Sequence, residues 1–252
     1  RALAGHARGH RFKSCIAHPF DFAQDKPMPL NIVYEDDMLL VVDKPPGLAV
    51  DAVANILLAQ YPELETLGEE MRYGIIHRLD KDTSGLLLVA KTKEAFSFFQ
   101  SKFKERSVHK QYLCLVQGVL KEDEGIIDAK LARSPNDRRK QKAFALRTPG
   151  EDAAREAKTK YRVVERFPAY TFLEMTPETG RKHQIRAHLA FLHHPIAGDK
   201  LYGFKGQTAP VGLNRQFLHA SRISLSMPNA STKEFRSELP KDLQNVLDNL
   251  RT

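Results

Sequence analysis

The sequence predicts an α+β fold built on a largely antiparallel sheet, on three observations. Met38-Leu-Leu-Val-Val42 and Leu86-Leu-Leu-Val-Ala90 are short, continuous apolar runs bounded by turn residues, the pattern of buried strands. Phe96, Phe99 and Phe103, and later Leu243, Val246, Leu247 and Leu250, recur at helical spacing. Strand-like and helix-like segments alternate without the strict rhythm of βαβ units, which argues against a wholly parallel sheet.

The elements follow in order. Residues 1–28 carry scattered His, Arg, Gly and Pro without a sustained period and are expected to be a poorly ordered extension, with Met28 as the natural start; residues 29–252 are expected to form one folded domain. Asn31 to Asp37 reads as a short strand entering a turn. The run from Met38 is stopped by Asp43-Lys-Pro-Pro-Gly47, since proline cannot donate to a ladder. Asn55 to Leu67 is expected to be helical. Thr92 can cap a helix through about Arg106, whose Phe96, Phe99 and Phe103 stripe reads as core and not as a base-stacking platform.

Gln111 to Gln117 is the next expected strand, and Ile126-Ile127 a short one. Arg133 to Lys142 reads as an exposed basic loop, either solvated surface or a phosphate contact, and the chain is expected to stay loop-like to about Ala157. Thr159 to Glu165 and Tyr170 to Thr176 form a strand pair around Phe167-Pro168. After the turn Pro177 to Gly180, Arg181 to Leu192 has helical spacing at Ile185, Leu189 and Leu192. A strand near Phe217 to Leu225 and a helix over Asp242 to Leu250 complete the chain.

The chain has 252 residues, 42% of them hydrophobic, and a net charge of +8. That is enough for a sizeable core, and the basic balance points to a polyanionic partner, nucleic acid first. Two cysteines, Cys15 and Cys114, form neither a disulfide framework nor a zinc pattern and fit a reducing cytoplasm. No apolar run reaches the length of a membrane span. His183 and His188 lie five apart, a poor spacing for a helical metal pair, and no metal is expected. The sequence has no phosphate-binding G-x-x-x-x-G-K-[ST] loop, no dinucleotide-binding G-x-G-x-x-G and no serine-hydrolase G-x-S-x-G elbow.

The densest chemistry lies in Gly74-Ile-Ile-His-Arg-Leu-Asp-Lys-Asp-Thr-Ser-Gly-Leu-Leu-Leu-Val-Ala-Lys, a charged loop leading into the strand at Leu86. Asp80, between Arg78 and Lys81, is placed to stay ionised and to serve as nucleophile or base. Asp82 raises a two-carboxylate glycosidase site as an alternative. On charge pattern alone, a surface salt-bridge cluster is the commoner meaning. Arg181, Lys182 and Arg186 offer a partner for Asp80 or for a phosphate, arginine being better suited to a buried pair.

The same stretch resembles the signature of the RluA-type pseudouridine synthases. Asp43-Lys-Pro-Pro-Gly resembles that family's D-K-P-x-G element, Lys110-Gln-Tyr-Leu-Cys-Leu-Val-Gln-Gly its K-x-Y-x-x-L-V-x-G strand, and Thr179-Gly-Arg-Lys-His-Gln-Ile-Arg-Ala-His-Leu its T-G-R-x-H-Q-I-R-x-H-L element. Gly198-Asp-Lys-Leu-Tyr-Gly and Leu218-His-Ala resemble its later elements. The resemblance runs in order from about residue 31 to 245.

It implies the pseudouridine synthase fold: a central, mainly antiparallel mixed sheet with flanking helices and an active-site cleft. It implies isomerisation of uridine in rRNA or tRNA by breaking the N1–C1′ bond and rejoining the ring through C5. Asp80 would then be the catalytic carboxylate, attacking C1′, adding to C6 or abstracting a proton. Tyr112 would lie against the base and assist proton removal at C5, and Arg186 would pair with Asp80. Arg78 would fill the space left by the flipped-out uridine, because a stacked base cannot be reached. His77, Arg181 and Leu218 complete the expected substrate-binding set. No cofactor is implied. The expected partner is RNA with an exposed uridine, and the protein is expected to be a cytoplasmic monomer with no membrane contact.

Two departures stand out. Many relatives have His where this chain has Asp51, a position expected to lie away from the catalytic residues. Residues 1–28 are too few for the separate N-terminal RNA-binding domain that many relatives carry, so targeting is expected to come from the catalytic domain. Two other functions stay open on the residues: a passive RNA-binding module or chaperone, and a glycoside hydrolase that would release free uracil or sugar.

Overall fold

A computed structural model describes residues 30–68, 72–148 and 153–252. The extension over 1–28 lies outside the described residues. The chain forms β1 (Asn31–Glu35), β2 (Leu39–Lys44), α1 (Val50–Gln60), a 3₁₀ turn (Pro62–Thr66), β3 (Ser84–Ala90) and α2 (Lys93–Lys104). It continues through β4 (His109–Gln117), β5 (Glu124–Arg133), β6 (Gln141–Phe144), β7 (Arg155–Arg166), β8 (Tyr170–Pro177) and α3 (Gln184–Phe191). β9 (Leu218–Ser226), β10 (Thr232–Arg236) and α4 (Lys241–Arg251) close it.

All ten strands join one sheet in the order β1-β2-β3-β9-β4-β8-β7-β5-β6, with β10 beside β9. Every pairing is antiparallel except β3 with β9. The α+β, mainly antiparallel expectation is met.

The two continuous apolar runs have a direct cause. Leu40 and Val42 of β2, and Leu87 and Val89 of β3, pack with Val53, Ala54 and Leu57 of α1. Their neighbours Leu39, Val41, Leu86, Leu88 and Ala90 pack on the other face with Ala95 and Phe99 of α2. Both faces are covered, so neither strand shows the polar–apolar alternation of a half-exposed strand. A third cluster, around Leu115, Leu173 and Phe217, takes Leu243, Val246 and Leu247 from α4.

Several boundaries differ from expectation. α1 begins five residues before Asn55 and stops at Gln60. Pro62 has no N–H to continue the helix and disfavours helical backbone at Tyr61, so the chain tightens into the 3₁₀ turn. α2 starts as expected, with Thr92 Oγ1 accepting from the Ala95 N–H at 3.1 Å. β5 runs through Arg133, and the basic segment is a β5–β6 hairpin rather than a free loop. The stretch to Ala157 is not all loop, since it includes β6 and the start of β7. β10 was not anticipated.

The sheet's one parallel pairing brings β3 and β9 very close at Gly85. Its φ is +111°, and an added Cβ would lie 2.3 Å from the Ala220 carbonyl oxygen. Gly85→Ala is therefore expected to destabilise the fold by about 3 kcal/mol or more, through backbone strain and a main-chain clash. Urea denaturation measures this, and a loss below about 1 kcal/mol, within the ordinary range for single substitutions, would refute it.

Candidate active site

The segment from Lys81 to Ser84 is tied down at every residue. Lys44, on β2, is wholly buried, and its ammonium donates to the carbonyls of Pro45 at 2.9 Å, Leu48 at 2.9 Å and Lys81 at 3.0 Å. Burial pulls its pKa down to about 8. The Gly47 N–H donates to the same Lys81 carbonyl, from a turn whose φ of +85° favours glycine. The Pro-Pro-Gly element thus does more than end a strand: it forms a platform beneath Lys81.

Arg215 donates to the Asp82 carbonyl at 3.1 Å and to Ser84 Oγ at 3.2 Å, and Gln216 donates to Thr83 Oγ1 at 2.8 Å. His219 Nε2 lies 3.1 Å from the Ser237 carbonyl, which can only accept. The ring proton is therefore on Nε2, leaving Nδ1 to accept from Ser84 Oγ at 3.0 Å. Burial lowers the His219 pKa, in keeping with this neutral tautomer.

This scaffold presents Asp80. Arg186 Nη1, on α3, donates to Asp80 Oδ2 at 2.8 Å, so the expected pair forms. The other edge of the guanidinium is occupied by Asp199: Nε donates to Oδ2 at 2.7 Å and Nη2 to Oδ1 at 2.9 Å. Asp199 is itself fixed by the N–H groups of Leu201 and Tyr202, at 2.9 and 3.0 Å. Burial alone would lower the Arg186 pKa, but the hydrogen bonds and charge of Asp199, then of Asp80, outweigh it and raise the value. Asp199 had no role in the sequence reading. The only signal was an acidic residue in the Gly198-Asp-Lys-Leu-Tyr-Gly element.

His183 Nε2 lies 3.6 Å from Asp80 Oδ1, and its Nδ1 is 3.1 Å from the Tyr202 hydroxyl. That hydroxyl accepts from the Gln141 N–H at 2.6 Å, joining the basic β5–β6 hairpin to the site. Burial lowers the His183 pKa despite the Asp80 carboxylate. His183 and His188 have separate surroundings. His188 is buried against Thr159 at 2.9 Å, and its Nε2 has no partner among the described residues.

α3 starts at Gln184, later than the Arg181 expected. Gln184 Oε1 accepts from Thr179 Oγ1 at 2.7 Å and from the Arg181 N–H at 2.9 Å, which holds the preceding loop in place of a first helical turn. Arg181 Nε then donates to the Glu156 carbonyl at 3.2 Å.

Asp80, Tyr112, Arg78, His77, Arg181 and Leu218, six of the seven expected residues, line one cavity of about 540 Å³ together with the seventh, Arg186. Burial, then the charge of Asp80, raises the Tyr112 pKa, so its O–H is intact at neutral pH. His77 Nε2 accepts from the Leu88 N–H at 3.1 Å, its ring stacks on Phe103 at 5.0 Å, and burial pulls its pKa down to about 3. It is a neutral wall of the cavity. Phe103, expected to be plain core, lines the cavity as well. Arg78 is exposed and makes no hydrogen bond or ion pair among the described residues. It also borders a second depression of about 340 Å³, which Asp80 shares with Asp51 and Asp82. Asp51 is therefore not remote from Asp80, contrary to expectation.

No helix among the described residues is long and apolar enough to cross a membrane. A family model described as RNA pseudouridylate synthase matches residues 38–191. A ribosomal large subunit pseudouridine synthase D of Xanthomonas campestris is 42% identical over 249 residues, covering 91% of this chain and 72% of the relative. The protein of that name from Nitrosomonas europaea is 40% identical, covering 90% and 67%. Among solved structures, human RNA pseudouridylate synthase domain containing 4 matches with a TM-score of 0.70 at 26% identity, over 88% of this chain and 93% of that one. The chain belongs to the RluA-type RNA pseudouridine synthases, isomerases that act on RNA.

Proposed function

We propose that this chain converts uridine to pseudouridine in large-subunit ribosomal RNA, with Asp80 as the catalytic carboxylate. The observation that carries the reading is the Asp80–Arg186 ion pair at 2.8 Å, set beside Tyr112 in one cavity. The rRNA substrate is favoured because the relatives from Xanthomonas campestris and Nitrosomonas europaea are named for the large ribosomal subunit.

In this reading the target uridine leaves its stack and enters the cavity, where Tyr112 and Leu218 take its ring. Exposed Arg78 enters the gap left in the RNA, and Arg181 and His77 border the bound nucleotide. The N1–C1′ bond breaks, the ring turns, C5 bonds to C1′, the C5 proton leaves and N1 gains one. Nothing is released, so no hydrolytic water is needed. Attack at C1′, addition at C6 and proton abstraction all require a carboxylate fixed in place, which the Arg186 pair provides. Tyr112 meets the base as a neutral phenol, a flat surface with an O–H donor.

Asp80→Asn is expected to fold normally and to form no pseudouridine in large-subunit rRNA. Pseudouridine mapping in a deletion strain complemented with wild type or variant tests this, and a restored site with the variant would overturn it. Arg186→Met is expected to cut kcat by about a hundredfold, the scale seen when an oriented charge is lost from a site. Asp199→Asn, which leaves Asp80 and Arg186 in place, is expected to lower kcat by about tenfold or more with little change in KM. Tritium release from C5-labelled RNA gives both constants, and an unchanged kcat would refute the positioning role of Asp199.

A further inference from the structure

Arg78, Lys104, Arg106, Lys110 and Lys182 line the cavity without a side-chain hydrogen bond or ion pair among the described residues, and of these only Lys110 is partly buried. Lys110, on β4, lines the same cavity as Tyr112, two residues further along the strand. Its amine makes no hydrogen bond or ion pair among the described residues and lies 5.7 Å from the centre of the Phe103 ring. The two carboxylates at the cavity are engaged elsewhere. Asp80 holds Arg186 at 2.8 Å, and Glu178 holds Lys160 at 2.8 Å. Besides Asp80, Tyr112 and Arg186, the charged and titratable groups lining the cavity are neutral His77, with Arg72 and Arg78 on the same segment, Lys104 and Arg106 from the end of α2, and Glu178, Arg181, Lys182 and His183 from the loop before α3. Gly180 leaves room beside the amine, since even an added Cβ there would stay 3.8 Å from it.

A half-buried ammonium without an acceptor costs free energy unless a ligand supplies the counter-charge. We infer that Lys110 is the subsite for an RNA phosphodiester next to the flipped nucleotide. This rests on the reading of the cavity as a uridine site. Two residues of strand separate Lys110 from Tyr112 by about 7 Å, which suits one nucleotide with its ring on Tyr112 and its phosphate on Lys110. Burial pulls the Lys110 pKa down to about 8, and a bound phosphate favours the charged amine. The free protein therefore binds fully below pH 8 and loses affinity as pH rises above it.

The experiment is filter binding of a large-subunit rRNA transcript to wild type, Lys110→Met and Lys110→Arg, from about 50 to 200 mM salt. Lys110→Met is expected to weaken binding about tenfold and to reduce the slope of log affinity on log salt by about 0.7 to 0.9, one phosphate contact. Lys110→Arg is expected to keep both, and to abolish the loss of wild-type affinity above pH 8, because arginine stays charged. An unchanged slope in Lys110→Met overturns the subsite, as does a Lys110→Arg variant as defective as Lys110→Met. A wild type that binds the transcript with this slope but makes no pseudouridine in it would count against the proposed function alone.

Discussion

The site depends on one guanidinium held by two carboxylates. Arg186 spends its Nε and Nη2 on Asp199 and reaches Asp80 with Nη1. A lone Arg–Asp pair could swing about either side chain. Here the bidentate grip of Asp199, itself pinned by two backbone N–H groups, fixes the plane of the guanidinium. The Asp80 carboxylate inherits that orientation. The price is a buried charge cluster, tolerable because each member is hydrogen-bonded; removing one partner from such a cluster typically costs about 3–5 kcal/mol.

The backbone beneath Asp80 is held by the same logic. Lys44 satisfies three carbonyls, and Arg215 and Gln216 reach the next three residues. These contacts come from β2 and from the segment before β9, which lie on either side of β3. The loop is therefore anchored to both neighbours of the strand it enters. Rigid support of this kind would keep Asp80, in its proposed role, within the narrow range of positions that bond-making demands.

What could be read from the sequence follows from how local each cause is. β2 and β3 were legible because burial on both faces leaves an unbroken apolar run. β5 was half-seen: Ile126-Ile127 marked its start, while the alternation of Ile127, Ala129 and Leu131 with Asp128 and Lys130, the pattern of a half-exposed strand, went unused. In β10 only Phe235 is buried, too little to mark a strand. The Asp80–Arg186 pair joins residues 106 apart, so no local rule could fix it: charge alone offered Arg181, Lys182 and Arg186 as partners, and the resemblance singled out Arg186. Lys44 was missed because a lysine reads as surface, and nothing in sequence announces three buried carbonyls around it. Asp199 was missed for a related reason. Its partner is fixed by how α3 lies across the loop after it, which is a tertiary fact.

The cavity is electrostatically divided. At its Asp80 end the buried charges answer one another, Asp80 to Arg186 and Arg186 to Asp199, while Arg78 there is exposed. His77 is kept neutral by burial, and the His183 pKa is lowered by it, so no imidazolium competes with Arg186 for the carboxylate at neutral pH. At the other end Lys104, Arg106 and Lys110 make no ion pair among the described residues. A chain bearing +8 overall could have neutralised that end with any of its 31 acidic residues. Leaving it unpaired raises the energy of the free protein slightly and lowers that of a polyanion complex, so part of the binding energy is stored before RNA arrives. Under the proposed function, the satisfied end would hold Asp80 fixed while the unsatisfied end attracts RNA, which would separate orientation of the carboxylate from capture of the substrate.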